Sequence, residues 1–480
     1  MTRRLRAAAL ALILAGCAVG PNYERPEVVV PVGWRDSTLA LRDSSYANLP
    51  WWEVYADTTL QGLIRIALRE NQDVRIALAR VNEARALLGI QRLEFLPQID
   101  IFASGERFKL PDSLTGQPQS ERNAFQVGGS LAWEIDLWGR IRRLNESAQA
   151  SLLATEQGRR GVILTIVSEV ARAYLELRDL DQELDIAERQ REIRRQSLQL
   201  ARARFEGGLT SELDVRQGEG ALANAEGTVF RLQRERQQKE NELSILLGRA
   251  PGDIPRGAPL TEQDFPDVIP AGLPSELLER RPDVQQAEQE LRAANAQIGA
   301  AIAALFPTIS LTGSGGTASR DIDNLFSAGT GFWNLAVNLF QPLINRGRNL
   351  KQVQAERART EGAIAFYERT VLTAFREVED GLVGVQRLRD EADAAGRAAE
   401  AARQSVGLAS LRYEGGVDNY LNLLDAQREL LTAELQESQL LRLQRVAVVQ
   451  LYKALGGGWD PVTDTLAVPL NATQTAPEQQ

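Results

Sequence analysis

The chain contains no histidine, one cysteine and one methionine, the latter its first residue. Histidine is the side chain whose ordinary pKa lies nearest neutrality and the commonest metal ligand, so its absence removes most routes to acid–base catalysis and transition-metal binding. Carboxylates alone remain, without a nucleophile, base and orienting group that assemble, and the chain is not expected to be an enzyme or to need a metal or cofactor. The lone Cys17 excludes an intrachain disulfide in any compartment. Long apolar runs are missing too. Nowhere do eighteen consecutive apolar residues occur, so a bilayer can be crossed only as a β-barrel. Fifty-five Lys and Arg stand against 64 Asp and Glu, a formal net charge of −9, which argues against a nucleic-acid partner.

What is present begins at the N-terminus. Arg3, Arg4 and Arg6 precede an apolar run from Ala7 to Ala15, with the charge order of a secretory signal and too few residues to span a membrane. The run ends in Leu14-Ala15-Gly16-Cys17, which resembles the bacterial lipobox. Residues 1–16 are therefore expected to be removed, and Cys17 to carry a diacylglycerol and an acyl chain; the alternative is a buried thiol. The non-acidic Ala18 implies sorting to the outer membrane. Removal of three arginines takes the net charge from −9 to −12. Lipid chains alone would anchor the protein without spanning anything.

The middle of the chain occurs twice. Asn71 to Pro97 precedes a strand pair, and Arg-Phe-Glu-Gly-Gly at 204–208 ends a long helix; Arg281 to Pro307 and Arg-Tyr-Glu-Gly-Gly at 412–416 do the same. The offset is 210 at the prolines (97 to 307) and 208 at the glycines (207 to 415), so a whole module was duplicated rather than a short solenoid repeat.

Each module carries period-two alternation. From Phe125 to Leu137 the odd positions are apolar or glycine, while Gln126, Ser130, Glu134 and Asp136 are even; Trp333, Leu335, Val337 and Leu339 repeat this against Asn334 and Asn338. Shorter alternations begin at Ile99 and Ile309. Such strands also line soluble sandwiches, but here each pair is joined by a polar stretch, 110–123 and 315–331, long enough for an extracellular loop. Four strands cannot close a membrane barrel, which begins at about eight, so two, three or four copies would be needed. Asp100, Glu106, Glu134 and Asp136 share the polar phase and are expected to line an acidic lumen.

Between Gly139 and Phe205 no proline interrupts a heptad pattern through Ile163, Ile166, Val170, Ala173, Leu177, Leu180, Leu184 and Ala187. At about 1.5 Å per residue this helix spans roughly 100 Å, as does its counterpart from Gly347 to Tyr413. Thr59 to Phe95 and Leu213 to Gly248 predict helices of roughly 55 Å, which end to end would match one long helix. The glycine pairs 207–208 and 415–416 supply positive φ for tight hairpins. An ordinary coiled-coil scaffold would need no strand pair.

The strings Cys-Ala-Val-Gly-Pro-Asn-Tyr-Glu-Arg-Pro from Cys17, Trp-Trp-Glu-Val-Tyr-Ala-Asp from Trp51, Leu-Phe-Pro-Thr-Ile-Ser-Leu from Leu305, Tyr-Glu-Gly-Gly-Val-Asp-Asn-Tyr-Leu-Asn-Leu-Leu-Asp-Ala-Gln from Tyr413 and Tyr-Lys-Ala-Leu-Gly-Gly-Gly-Trp from Tyr452 resemble the TolC-like outer-membrane factors. The resemblance covers nearly the whole mature chain and is strongest to the lipoprotein branch serving multidrug efflux. It implies an α+β membrane protein: a homotrimer whose twelve strands form one transmembrane β-barrel, four per chain, continued by a long periplasmic α-helical coiled-coil barrel. It also implies a periplasmic adaptor and an inner-membrane RND-type transporter as partners, and contact with outer-membrane lipid. The expected order is signal peptide, 1–16; lipidated N-terminal and equatorial segment, 17–58; first repeat, 59–249; equatorial linker, 250–280; second repeat, 281–455; and an equatorial segment with a disordered tail, 456–480.

In the matching motif Leu421 and Asp425 point inward at the narrowest rings of the tunnel. Arg428 and Tyr413 match positions near the polar links that hold the coils closed, and Asp214 occupies the equivalent place in the first module. Where some members carry a second inward aspartate, this chain has Asn422. The plainer alternatives are seam packing for Leu421, a solvated helix face for Asp425 and Arg428, and a hairpin staple for Tyr413. The same fold could serve type I protein secretion or metal export; the lack of histidine and of methionine clusters argues against a dedicated copper or silver route.

Overall fold

The computed structural model describes residues 18–35, 54–109, 121–263 and 270–457. Cys17, the signal, most of the first strand-to-strand loop and the C-terminal tail lie outside the described residues. The chain divides into two compact units. One is drawn from 1–27, 80–156 and 286–368 and holds the sheet; the other is drawn from 28–79, 157–285 and 369–480 and holds the helical hairpins.

In the first repeat, α1 (Thr58–Glu70) and α2 (Gln72–Leu93) lead into strands β1 (Gln98–Lys109) and β2 (Glu121–Ile135), then α3 (Arg140–Glu206) and α4 (Glu212–Leu246). The second gives α5 (Leu277–Arg280), α6 (Pro282–Ala303), β3 (Thr308–Ser319), β4 (Gly331–Phe340), α7 (Arg346–Glu414) and α8 (Tyr420–Ala454). The four strands form one antiparallel sheet in chain order, and the β2–β3 pairing, from Phe125 opposite Ser319 to Ile135 opposite Ile309, joins the two repeats. Among the described residues the outer edges of β1 and β4 have no partner strand. β3 continues to Ser319, so the second loop is shorter than the expected 315–331.

Helix α3 runs 67 residues without proline, and of its predicted seam residues Ile163, Ile166, Val170, Ala173, Leu177, Leu184 and Ala187 are buried and Leu180 is partly buried. Where the sequence reads as one helix from Thr59 to Phe95, the structure has two, broken at Asn71 (ψ 135°). The buried Asn71 side chain causes the break: its Oδ1 accepts from Asp73 N at 2.8 Å and Val74 N at 3.2 Å, capping α2, while its Nδ2 donates to Leu246 O at 2.8 Å. The second repeat breaks at the equivalent residue, where buried Arg281 donates to Ala454 O at 2.9 Å. One long-range side-chain bond to the end of the returning helix therefore fixes the same jog in both copies.

Gly248 lies beside this jog with φ +72°, and a Cβ there would stand 2.3 Å from Glu70 O. Gly208, also left-handed at φ +71°, would meet nothing within 4 Å. Gly208→Ala should therefore cost only the left-handed backbone penalty of roughly 1–2 kcal/mol, whereas Gly248→Ala must also push two backbones apart. The expected result is a clearly larger fall in thermal midpoint, followed by circular dichroism, for Gly248→Ala; equal falls would contradict the close packing.

Candidate functional site in the sheet face and the hairpin tips

The sheet has two chemically distinct faces. In register across the four strands, Asp100, Ser130, Ser314 and Asn334 form one row, and Ser314 donates from N and Oγ to Asn334 Oδ1 at 2.8 and 2.9 Å. The next even-numbered row holds Thr312, whose hydroxyl accepts from Asn338 Nδ2 at 2.9 Å. On the odd face stand Ile99, Ile101, Trp333, Leu335, Val337 and Leu339, exposed by 66% or more of their surface. An apolar face that large is not left to water by a stable soluble sheet.

The four candidate lumen acids separate. Asp100 and Glu106 lie on the polar phase of β1. Glu134 shares that phase but is held bidentately by Arg140, at 2.9 and 2.8 Å. Asp136 lies past the end of β2, so the strand phase does not govern it. Its carboxylate accepts from Ile141 N and Arg142 N at 3.0 and 2.9 Å and caps α3.

Both hairpins close alike. Leu209 N donates to Arg204 O at 2.8 Å and Val417 N to Arg412 O at 2.9 Å, each across a glycine pair of which only the second member, Gly208 or Gly416, takes positive φ. Beyond this the copies diverge. Arg412 Nε donates to Asp418 within its own hairpin at 3.2 Å; Thr210 stands at the corresponding place in the first hairpin, and Arg204 reaches across instead. It donates to Tyr413 O at 2.9 Å and Glu414 O at 3.1 Å, and its guanidinium lies 4.9 Å from the centre of the Tyr413 ring. Sequence reasoning did not single out Arg204; its signal was the Thr210/Asp418 difference between two otherwise matching turns.

Of the five gate candidates, Tyr413 is buried with Ala201, Tyr420 and Leu423, its ring 5.1 Å from that of Tyr420. Burial and the nearby Asp214 charge hold its phenol above the ordinary range, with Arg204 opposing. Asp214, on the first turn of α4, accepts from the Thr210 hydroxyl. The structure thus brings Tyr413 and Asp214 together. Leu421 is exposed, and Asp425 pairs with Arg428 one turn along α8, both on the open rim of a groove of about 510 Å³ between α4 and α8.

A family model described as outer membrane efflux protein matches residues 63–249 and 273–457, once over each repeat. The chain belongs to this family. OprJ of Pseudomonas aeruginosa, an outer membrane protein, is 37% identical over 94% of this chain and 95% of its own length. SrpC of Pseudomonas putida, a solvent efflux pump outer membrane protein, is 38% identical over 93% and 97%. The open state of the MtrE outer membrane channel of Neisseria gonorrhoeae superposes with a TM-score of 0.83 at 34% identity, covering 92% of this chain and 98% of that one.

In this efflux protein the hairpins are joined along a seam between α3 and α8 that is unexpectedly polar. Asp179 accepts from Ser438 at 2.6 Å and Arg442 at 2.7 Å, Glu183 from Gln439 at 2.9 Å, and Gln427 donates to Ser197 at 2.8 Å. Burial raises Glu183 above the ordinary carboxylate range, opposed by the Gln439 amide and reinforced by the Asp179 charge. The folded pKa therefore exceeds the unfolded one, and the stability this group contributes is complete below about pH 4.3 and lost as pH rises through the raised value. In Glu183→Gln that loss is absent. The thermal midpoint of the parent relative to Glu183→Gln should fall between about pH 4 and pH 8; a difference independent of pH would contradict a destabilising buried charge.

Proposed function

We propose that three copies of this chain form the outer-membrane exit duct of a tripartite efflux system, receiving small molecules from an inner-membrane RND-type transporter through a periplasmic adaptor. The observation that carries this reading is the sheet: one exposed apolar face, one polar face and two open edges in a single chain. Exposed apolar residues suit lipid, and open edges suit closure with neighbouring copies into a twelve-stranded barrel. Asp100 and Glu106 then face the lumen. The helices of the three copies form the periplasmic tunnel, and Leu421 and Asp425 on the hairpins supply its constriction, leucine by exclusion and dewetting, the carboxylates by favouring cations. Tyr413, Asp214 and Arg428 belong to the contacts that hold the closed state. The family relationship and the names of OprJ and SrpC support the assignment.

Cys17 is the proposed lipid attachment point. The segment just after it is strapped to the junction of β2 and α3: Val19 N donates to Trp138 O at 3.1 Å, and Arg143 donates to Val19 O, Gly20 O and Asn22 Oδ1 at 3.3, 3.4 and 2.9 Å. A lipid carried one residue before Ala18 would enter the bilayer beside the strand ends, reinforcing the barrel's anchorage.

Single-channel recording in planar bilayers tests the duct. The parent should show a small, cation-preferring conductance that grows in Asp425→Ala, because three carboxylate side chains leave the proposed narrowest ring and much smaller ones take their place. An unchanged conductance would move the constriction elsewhere, and no conductance at all would remove the duct.

A further inference from the structure

Arg194 on α3 is 92% buried, being 8% exposed, and makes no hydrogen bond or ion pair among the described residues. Its neighbours along the α3–α8 seam, Gln190 and Ser197, meet Glu434 and Gln427. Between those two contacts α8 places Leu430, buried, and Leu431, on the groove wall, and among the described residues Arg194 pairs with no side chain of α8. Its side chain is buried but its guanidinium nitrogens are not sealed from solvent, so the charge is presented to the groove without a counter-charge.

The side chain forms part of the wall of the groove between α4 and α8. Burial lowers its proton affinity, and the positive charge of Arg428 lowers it further, but a guanidinium stays charged at neutral pH. Tyr420 does not neutralise it, since burial pushes that phenol up to about 12. On the α4 side Gln217 and Asn224 stand seven residues apart with side-chain amides that make no hydrogen bond among the described residues, separated by the small Gly220 and Ala221. The one acid in the groove, Asp425, is engaged by Arg428 at the rim. Leu421, Leu424 and Leu431 provide an apolar wall opposite. The combination is a cation at the base, amide donors on one side and leucines on the other, in a volume of about 510 Å³, which lies in the range of small-molecule sites.

We infer that the α4–α8 groove is a binding site for a small organic monocarboxylate with an apolar body, its carboxylate on Arg194 and its body against Leu421, Leu424 and Leu431. A guanidinium presents paired donors to a carboxylate, and the leucines give a carboxylic acid of apolar character an advantage that a bare oxyanion lacks. In the duct this would make the groove a solute site that favours acidic amphiphiles. The site itself does not depend on the duct.

Benzoate is the probe, followed by saturation-transfer NMR on the purified full-length protein, with benzamide as its neutral analogue and inorganic phosphate as the charge without the body. Saturable benzoate binding is expected, not displaced by equal benzamide or phosphate, and weakened roughly tenfold or more in Arg194→Gln. Arg194→Lys, which keeps the charge and fills the seam, should weaken it only about threefold. Benzoate bound equally by parent and Arg194→Gln, or not saturably at all, would overturn the site. Phosphate binding as tightly as benzoate would overturn the amphiphile assignment, and equal losses in the Lys and Gln variants would overturn the charge anchor. A benzoate site lost in Arg194→Gln, in a protein that conducts nothing, would leave the site standing and remove the duct.

Discussion

In hydrocarbon a backbone N–H or C=O has no partner except another peptide group, so a strand placed there must pair on both edges. Everything distinctive about this chain answers to that constraint. It has no apolar run long enough for a spanning helix, and its sheet exposes Ile99, Ile101, Trp333, Leu335, Val337 and Leu339 on one face while, among the described residues, the outer edges of β1 and β4 have no partner strand. A single copy cannot satisfy those edges, and four strands are too few to curl shut on themselves. Assembly is therefore part of the proposed fold rather than an addition to it.

Duplication is the economical route to such an assembly, and the two copies show which features the architecture demands and which it leaves free. The jog is kept in both: Asn71 reaches Leu246 O, and Arg281 reaches Ala454 O. Different side chains make the same bond to the same place, so the bond, not the residue, is what the module requires. The hairpin turns are kept as well, down to the single left-handed glycine. At the tips the copies part company. Arg412 stays within its hairpin while Arg204 crosses to the other, and the α8 positions holding Asp425 and Arg428 correspond on α4 to Gln217 and Gly220. These differences put the Asp425–Arg428 pair on α8 alone and concentrate the proposed gate and the acidic-solute site in one groove.

Much of this was legible in the chain itself. Period-two alternation located all four strands because the odd positions are apolar or glycine through most of β2 and β4 and apolar at the start of β1 and β3, and the absence of proline marked the long helices. The end of β2 was not legible, since the alternation continues through Leu137; the strand stops because the Asp136 side chain turns to cap α3. Nor was the break at Asn71, whose side chain caps α2 and at the same time reaches a carbonyl 175 residues away. A heptad reading weighs apolar positions, so it found the buried core of α3 and passed over Asp179, Glu183 and Arg194, polar residues on the α3–α8 side of the same helix. For the gate candidates, the sequence gathered Tyr413 and Asp214 from different modules, and the structure brings them to one tip. It could not show that Asp425 and Arg428 pair along one helix instead of between helices.

Closure of the sheet between copies is the claim on which the rest stands, and disulfide trapping reaches it directly. Within one chain β1 and β4 lie three strand spacings apart, roughly 14 Å, beyond the reach of a disulfide. Any bond between them must therefore join different chains. With Cys17 the only native cysteine, one cysteine placed at Ala336 and a second scanned over Asp100, Phe102, Ser104 and Glu106 should, at the matching register, give on oxidation in membranes a covalent ladder that stops at three chains. Absence of any interchain bond across the scan, or a ladder that stops at another number, would contradict a trimeric barrel.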